Sequence, residues 1–466
     1  MYILITPKII EEILSLSLKR GGDFSEVFFE ETFSVLFRLD DKKIEEVTSG
    51  EDIGVGIRVI KGDRTFYGYT NDITPNGLRK LAEEISYAVF EGEISRIISL
   101  ENKKSQSMVK IIRELRSVEL KEGADFLRLM DEKARKYALK IVQFTGVIRS
   151  SDQKVVIANS EGEFKEDRRI RSVIYGLSVA YKDGIIQTGY ESYAKLSGWE
   201  LFNQELLENI AFESARRAVL MLEAEEAPAG VMPVVISSKA GGVLVHEAVG
   251  HGLEGDLVEK KVSVYSGKIG EKVASELVTL VDTGTLEGNY GSFSFDDEGV
   301  PSQYNILIEK GILKGYMHSR LTARKMGVKP TGNGRRQSFR FPPIPRMTNT
   351  YLLPGKSSFD EIINRVEKGL YVVKMGGGQV DTISGDFVFA VEEGYLIEKG
   401  KITKPVRGAT LIGNGPKILE SIEMVGNDLG FTPGTCGKDM QGVPVTDGMP
   451  TILIPQITVG GTKREE

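Results

Sequence analysis

Two of the three histidines in this 466-residue chain lie five positions apart, in the segment HEAVGH that runs from His246 to His251. Histidine is the commonest protein ligand for metals, and a glutamate next to a ligating histidine is placed to take a proton from metal-bound water. Glu247 occupies that place. Because the chain has so few histidines, this clustering is improbable by chance, and it points to a metal-dependent hydrolase.

The spacing of the two histidines constrains the local backbone. Side chains four apart on a regular α-helix diverge by about 40°, whereas side chains five apart diverge by about 140°. A helix is predicted over about 239–253, with Ser237 or Ser238 as its cap, and it must widen or break between the rings if both bind one ion. A π-type bulge would achieve this, and Gly250 and Gly252 make the distortion easy. The alternative is two ordinary helical histidines that bind no metal.

The third metal ligand is open at this point. A catalytic zinc needs three protein ligands and a free position. Candidates are Cys436, His318, Glu254, Asp256 and many other carboxylates. Cys436 leads because a flexible, glycine-rich stretch surrounds it, although a buried inert thiol is an equal alternative. His318 has no metal-like neighbours in the sequence, and we favour a structural role for it.

Composition excludes several classes of protein. The chain is 41% hydrophobic and 27% charged, with a formal net charge of −6, so neither nucleic acid nor an anionic membrane is expected as a partner. No apolar run approaches the length needed to span a bilayer. A single cysteine allows no intrachain disulfide, and we expect the protein to be cytoplasmic.

The pattern of helices and strands predicts an α+β fold. The N-terminal part shows a helix, several antiparallel strands and a helix, and then the same order again. Helices are expected from Thr6-Pro7 to about 20, from Thr74-Pro75 to about 90, over 123–139 and over about 200–222. The stretch from Glu223 to Gly230 ends the last of these with charge, proline and glycine, and so marks a domain boundary.

Two domains follow from this boundary. Residues 1–226 are predicted to form an N-terminal α+β domain, with a possible internal duplication of 1–118 and 119–226. Residues 227–466 are predicted to form a β-rich C-terminal domain that carries the metal-site helix. One further helix is expected there, over 358–369.

Eight separate blocks in the C-terminal half resemble the TldD/PmbA family, whose members were once described as modulators of DNA gyrase. The blocks are HEAVGHGLEGD at 246–256, DEGVP at 297–301, PRMTNTYLLPG at 345–355, GGGQVDTISG at 376–385, KPVRGATLIG at 404–413, MVGNDL at 424–429, TCG at 435–437 and TVGGT at 458–462.

The resemblance implies a zinc metallopeptidase of the TldD type, the branch that keeps an HExxxH motif. It implies that His246, His251 and Cys436 hold one zinc ion per active subunit and that Glu247 is the catalytic glutamate, activating the zinc-bound water. Nothing in the sequence departs from that pattern at these four positions.

The resemblance also implies a substrate and a partner. The substrate is an unfolded, extended or leader peptide, cut with low sequence specificity, and the partner is a homologous PmbA-type (TldE) subunit in a heterodimer, or a second copy in a homodimer. Gly376, Gly377, Gly378 and Gln379 are candidates for binding the substrate's main chain, although a β-bulge is an equally good use of these glycines. The alternative function is a zinc-containing chaperone or maturation factor that holds peptides without cutting them.

Overall fold

The N-terminal half alternates helices with long strands. The computed structural model describes residues 6–89, 99–104, 108, 111–240 and 242–463. The elements of this half are α1 (Pro7–Ser17), β1 (Phe24–Asp40), β2 (Lys43–Lys61), β3 (Arg64–Thr70), α2 (Pro75–Ala88), β4 (Glu101–Lys104), α3 (Leu120–Tyr137), β5 (Ile141–Asn159), β6 (Glu163–Lys182), β7 (Ile185–Lys195) and α4 (Gln204–Glu223).

These strands form one seven-stranded sheet, in the order β3-β2-β1-β5-β6-β4, with β7 also paired to β6. The first strand, β1, is continuous over 17 residues. The break in hydrophobic alternation at 32–34 does not end the strand, because β2 and β5 both pair with it through that stretch. The hydrogen-bond ladder, rather than the alternation, sets the strand length.

The predicted helix starts at the two Thr-Pro pairs are confirmed. Thr6 and Thr74 are N-caps whose side-chain oxygens accept the N–H groups of Ile9 and Gly77, and a proline follows each of them. The two sets α1-β1-β2-β3-α2 and α3-β5-β6-β7-α4 repeat one element order. The internal duplication itself stays a prediction.

The C-terminal half is dominated by strands. Its elements are β8 (Glu225–Glu226), β9 (Gly230–Ile236), α5 (Val243–Val245), α6 (Gly255–Glu259), β10 (Leu280–Thr283), β11 (Tyr304–Glu309), β12 (Ile312–Leu313), α7 (Arg320–Met326), β13 (Gly334–Arg335), β14 (Ile344–Pro345), β15 (Asn349–Leu352), α8 (Phe359–Asn364), β16 (Lys368–Val380), β17 (Asp386–Glu398), β18 (Lys401–Arg407), β19 (Thr410–Asn414), α9 (Gly415–Ser421), β20 (Met424–Val425), β21 (Gly430–Lys438), β22 (Gln441–Met449) and β23 (Ile452–Gly460). Extensive sheets with helices confirm the α+β class.

Two sheets position the site. In the first, β16, β9, β23, β19 and β17 pair in that order and β17 pairs back to β16, which closes a ring of strands. In the second, the order is β12-β11-β10-β15-β22-β21, so β21 lies at an edge. The largest hydrophobic core joins residues of both sheets to the segment around Val245 and Val249.

The helix predicted over 358–369 is too long. It begins as expected, with a capping box between Ser358 and Glu361, but α8 ends at Asn364. Residues 370–372 instead pair in parallel with 234–236 of β9, and Leu370 and Val372 are fully buried there. Tertiary pairing overrides the local helical pattern. The helices α7 and α9 were not predicted.

The two residues just before the predicted boundary at 226/227 belong to a sheet of the C-terminal half. Glu225 and Glu226 already pair with β18 of the C-terminal half, while the strands of the N-terminal sheet all precede residue 196. The two-domain division stays a prediction. Across the described ranges, no helix is both long and apolar enough to cross a membrane.

A buried network of charges joins the two halves. Arg336 of the C-terminal half donates to Glu26 of β1, and both side chains are fully buried. Arg58 of β2 bridges Glu26 and Glu298, at 2.7 and 2.6 Å. Arg169 of β6 binds Asp297. Buried charges remain charged only when they are paired, so each member of this network depends on the others.

We predict that Arg336→Met lowers the free energy of unfolding by about 3–5 kcal/mol, because it leaves Glu26 buried with one cation fewer. The matched control is Arg340→Met, which breaks a half-exposed pair with Asp52 and is expected to cost less than about 1 kcal/mol. Urea titration of both variants measures the difference. Equal losses in the two variants would contradict the prediction.

Candidate metal centre

The histidine segment is a distorted helix. After a short 3₁₀ turn at Ser238–Ala240, the helix begins at α5 and widens into a π-helix over His246–Gly250, followed by a 3₁₀ turn at His251–Leu253. The backbone N–H of His251 donates to the carbonyl of His246, which is the i→i+5 bond of a π-turn. The distortion predicted from the spacing is therefore present.

The predicted cap of this helix is wrong. Neither Ser237 nor Ser238 caps it; the N-cap is Gly242, with a φ of 75°. A side chain could not replace this glycine, because a Cβ would lie 2.6 Å from the backbone nitrogen of Gly448. The oxygen of Ser237 instead accepts the N–H of Lys239 in the preceding turn.

The widened turn brings both imidazoles to one place. The two ring centroids are 5.0 Å apart and the ring planes are nearly perpendicular, at 89°. Cys436 comes to the same place from β21, with its Sγ 3.5 Å from His251 Nε2. One donor atom from each of these three residues lies within 4.8 Å of the other two.

Carboxylates orient both rings. His246 Nδ1 donates to Asp447 Oδ1 at 2.7 Å, and His251 Nδ1 donates to Glu254 Oε2 at 2.9 Å. With the Nδ1 atoms engaged, the Nε2 atoms are left to meet at the thiol. A carboxylate behind each ligating imidazole is a usual feature of metal sites, because it sets the tautomer and raises the basicity of the ligand.

Electrostatics inside the site favour a thiolate beside charged rings. Burial raises the pKa of the Cys436 thiol, but hydrogen bonds from His246 and His251 outweigh burial and lower this pKa to about 6. Burial lowers the pKa of His251, but Glu254 and Cys436 raise it to about 9. The buried site thus favours negative charge on the thiol and positive charge beside it, which is the charge balance that a bound cation needs.

Glu247 differs from the three converging residues in its exposure. Its side chain is 31% exposed, and its Oε2 lies 3.9 Å from His251 Nε2. The carboxylate thus faces solvent at the rim of the site, where it can reach a water molecule or a substrate.

The other residues predicted as candidate ligands do not supply one of the three converging donor atoms. His318 is buried, and burial lowers its pKa to about 4. Asp256 binds Lys438 at 2.6 Å. Glu254 supports a ring rather than joining the donor trio; burial raises its pKa, but Lys438 and His251 lower it to about 2.

Gly376, Gly377, Gly378 and Gln379 lie in β16, where the pairing with β17 slips between Met375 and Gly378. A Cβ on Gly378 would overlap the ring of Phe389. This geometry fits the β-bulge alternative, and the role of these residues in binding substrate stays a prediction.

Sequence reasoning missed three residues of the site. Asp447 and Lys438 are brought to the histidines by the hairpin of β21 and β22, and no motif marks them. Arg346 is fully buried and donates to the carbonyls of Cys436 and Gln441, so it fixes the hairpin at its turn end. Glu254 is the one supporting residue whose place in the sequence, three residues after His251, indicated that it lies near the site.

Comparisons with known proteins identify the family of the chain. Family models of the PmbA/TldA metallopeptidases match residues 25–89 (domain 1), 113–222 (central domain) and 229–461 (C-terminal domain). The chain is 41% identical over 463 residues to a metalloprotease TldD homolog of Haemophilus influenzae and 38% identical over 463 residues to one of Buchnera aphidicola. Each alignment covers 97% of this chain and 95% of the relative.

Solved structures share the fold. A protein of Thermotoga maritima described as a modulator of a DNA gyrase matches with a TM-score of 0.79 and 25% identity, over 97% of this chain and 99% of that one. TldE from Thermococcus kodakarensis matches with a TM-score of 0.78 and 21% identity, over 97% and 100% of the two chains.

These matches define a metallopeptidase, an enzyme that hydrolyses peptide bonds. The chain belongs to the TldD/PmbA family, as its sequence blocks predicted.

We predict that Gly250→Ala disturbs the π-turn and weakens metal retention. A Cβ at Gly250 would lie 2.1 Å from Met347 Sδ, and Met347 is fully buried, so the variant is expected to lose about 1–3 kcal/mol of stability. The control is Gly50→Ala, where a Cβ meets nothing within 4 Å. Urea titration and metal content after dialysis against a weak chelator provide the readouts. Wild-type stability and metal content in Gly250→Ala would refute it.

Proposed function

We propose that the chain is a zinc-dependent peptidase in which His246, His251 and Cys436 hold the ion and Glu247 moves the proton. The observation that carries the proposal is the convergence of three donor atoms within 4.8 Å of one another. Two imidazoles and a thiolate are a donor set that suits zinc and is poor for magnesium or calcium.

The ligands fit the requirements of a catalytic ion. Three protein ligands leave a fourth position open, whereas a structural zinc site usually closes all four. When bound, zinc supplies Lewis acidity that polarises a peptide carbonyl and makes water easier to deprotonate. Asp447 and Glu254 hold the rings in the tautomer that such an ion needs.

Glu247 is the proton carrier of this proposal. Its carboxylate is exposed enough to meet substrate and lies beside His251 at the rim. As a general base it takes the proton of the attacking water, and as a general acid it returns that proton to the leaving amine. Both steps use one carboxylate, which explains the need for a glutamate next to the first ligand.

We further propose that an extended peptide is bound through its main chain, with low sequence specificity. Among the described strands β21 pairs with β22 alone, so its outer edge offers unpaired N–H and C=O groups close to Cys436. A peptide added to this edge gains backbone hydrogen bonds that do not depend on its side chains. Thr435 and Gly437, on either side of Cys436, are exposed.

We predict that two variants both lose peptide cleavage but differ in whether they retain zinc. Glu247→Gln is expected to retain zinc and to lose peptide cleavage by at least about 100-fold, because general acid–base catalysis contributes about 10²–10⁴-fold. Cys436→Ala is expected to lose zinc as well as cleavage, because the thiolate is a ligand.

Zinc content together with mass spectrometry of a digested unfolded peptide measures both effects. Turnover by zinc-loaded Glu247→Gln would remove Glu247 from its role, and full zinc content in Cys436→Ala would remove the cysteine. Zinc without new peptide termini in the wild type would favour a peptide-holding chaperone or maturation factor.

We also propose that the chain pairs with a homologous subunit, either a PmbA-type chain or a second copy. A cluster of apolar side chains at one end of the N-terminal sheet supports this: Leu139, Val142, Tyr181 and Ile186 are each at least 47% exposed. Tyr181 and Ile186 are neighbours across β6 and β7. Contiguous exposed apolar surface of this kind is typical of interfaces.

We predict that the double change Tyr181→Lys and Ile186→Lys weakens this association at least about tenfold, because two charges would be buried without partners. The control is Val328→Lys, at another exposed apolar position. Sedimentation of the chain alone, and mixed with a PmbA-type subunit, distinguishes the two partners. Unchanged association would place the interface elsewhere.

A further inference from the structure

The carboxylate behind His251 is itself held by a cation. Glu254 is fully buried, and its Oε2, the atom that accepts from His251 Nδ1, also lies 3.1 Å from Lys438 Nζ. The imidazole is thus linked to the carboxylate by a hydrogen bond, and the carboxylate to the ammonium by an ion pair. These two contacts connect the histidine segment to the strand that carries the third proposed ligand.

Three oxygen atoms surround the Lys438 ammonium. It donates to Asp256 Oδ1 at 2.6 Å and to the carbonyl oxygen of Pro345 at 3.3 Å, and it forms an ion pair with Glu254 Oε2 at 3.1 Å. The side chain is only 9% exposed. A buried ammonium held by three oxygen atoms has little freedom to move, so it fixes the distance between the groups that it joins.

Lys438 lies on the same strand as Cys436, so its contact with Glu254 also bears on the position of the thiol. Cys436 and Lys438 are two residues apart in β21, so their side chains leave the same face of the sheet. Cys436 Sγ lies 3.5 Å from Nε2 of His251, and Lys438 reaches Nδ1 of that ring through Glu254. One strand therefore holds both nitrogens of a single imidazole, one directly and one through the carboxylate.

We propose that Lys438 is a positioning residue that acts through Glu254 and assembles the metal site before the metal binds. It holds the hairpin of β21 and β22 against the histidine segment, so that Cys436 and His251 already face one point. The order needed for metal binding is then established when the chain folds, and the metal gains affinity because less has to be ordered on binding. This inference rests on the proposed metal centre.

A merely structural ion pair would behave differently. It would stabilise the fold without changing the affinity or the electronic environment of the metal. The two roles separate in a double-mutant cycle, because a residue that acts through Glu254 has no effect once Glu254 cannot respond.

The experiment uses Lys438→Met, Glu254→Gln, the double variant and wild type in the full chain. The control is Lys404→Met, which breaks an exposed pair with Glu225. Zinc affinity is measured by competition with a coloured chelator, and the cobalt-loaded proteins are compared by the absorption band of the thiolate–cobalt bond. Thermal unfolding of the metal-free proteins records stability separately.

Lys438→Met is expected to weaken zinc binding about 10–100-fold, the usual effect of losing a partner behind a ligand, and to shift or weaken the thiolate–cobalt band. The double variant is expected to bind zinc no more weakly than the weaker single variant. Lys404→Met is expected to match wild type in both measurements. If Lys438→Met does not fold, the comparison of the double variant with Glu254→Gln still tests the coupling.

Two results would overturn the inference while leaving the proposed function intact. One is wild-type zinc affinity and an unchanged cobalt spectrum in Lys438→Met. The other is a double variant whose loss of affinity is the product of the two single losses, because the two residues would then act independently. A wild-type protein that binds no zinc would instead overturn the proposed metal centre, and the inference with it.

Discussion

The hydrogen bond from the N–H of His251 to the carbonyl of His246 determines whether the rest of the site can exist. On a regular helix the two rings would point about 140° apart. The π-turn closes that angle, and the close contact of Gly250 with Met347 shows why the backbone there has no room for a side chain. Every other feature of the site is arranged around the pair of rings that this turn creates.

The second requirement is a strand that arrives at the turn in one register. A slip of one residue in β21 would send Cys436 and Lys438 to the opposite face of the sheet. Pairing with β22 fixes this register, and the buried guanidinium of Arg346 fixes the turn end of the hairpin through two carbonyls. The register and the anchoring of the hairpin together determine where the sulfur atom of Cys436 lies.

Features that depend on residues close together in the chain could be predicted from the sequence. Contacts that depend on the pairing of distant strands could not. The Thr-Pro pairs predicted helix starts, and the histidine spacing with its glycines predicted the widened turn, because both depend on neighbours in the chain. From spacing alone, Cys436 was one candidate among several; the resemblance singled it out. Asp447 and Lys438 could not be predicted, because their contacts depend on the register of a hairpin, and the helix expected through 369 failed because a parallel pairing with β9 took precedence.

Cys436 lies far along the chain from the two histidines: 185 positions separate it from His251. A contact between such distant residues closes a large loop and costs conformational entropy. A nascent or partly folded chain that lacks this contact therefore holds an incomplete donor set. The three donors of this metallopeptidase are therefore brought together only once β21, among the last strands of the chain, is in place.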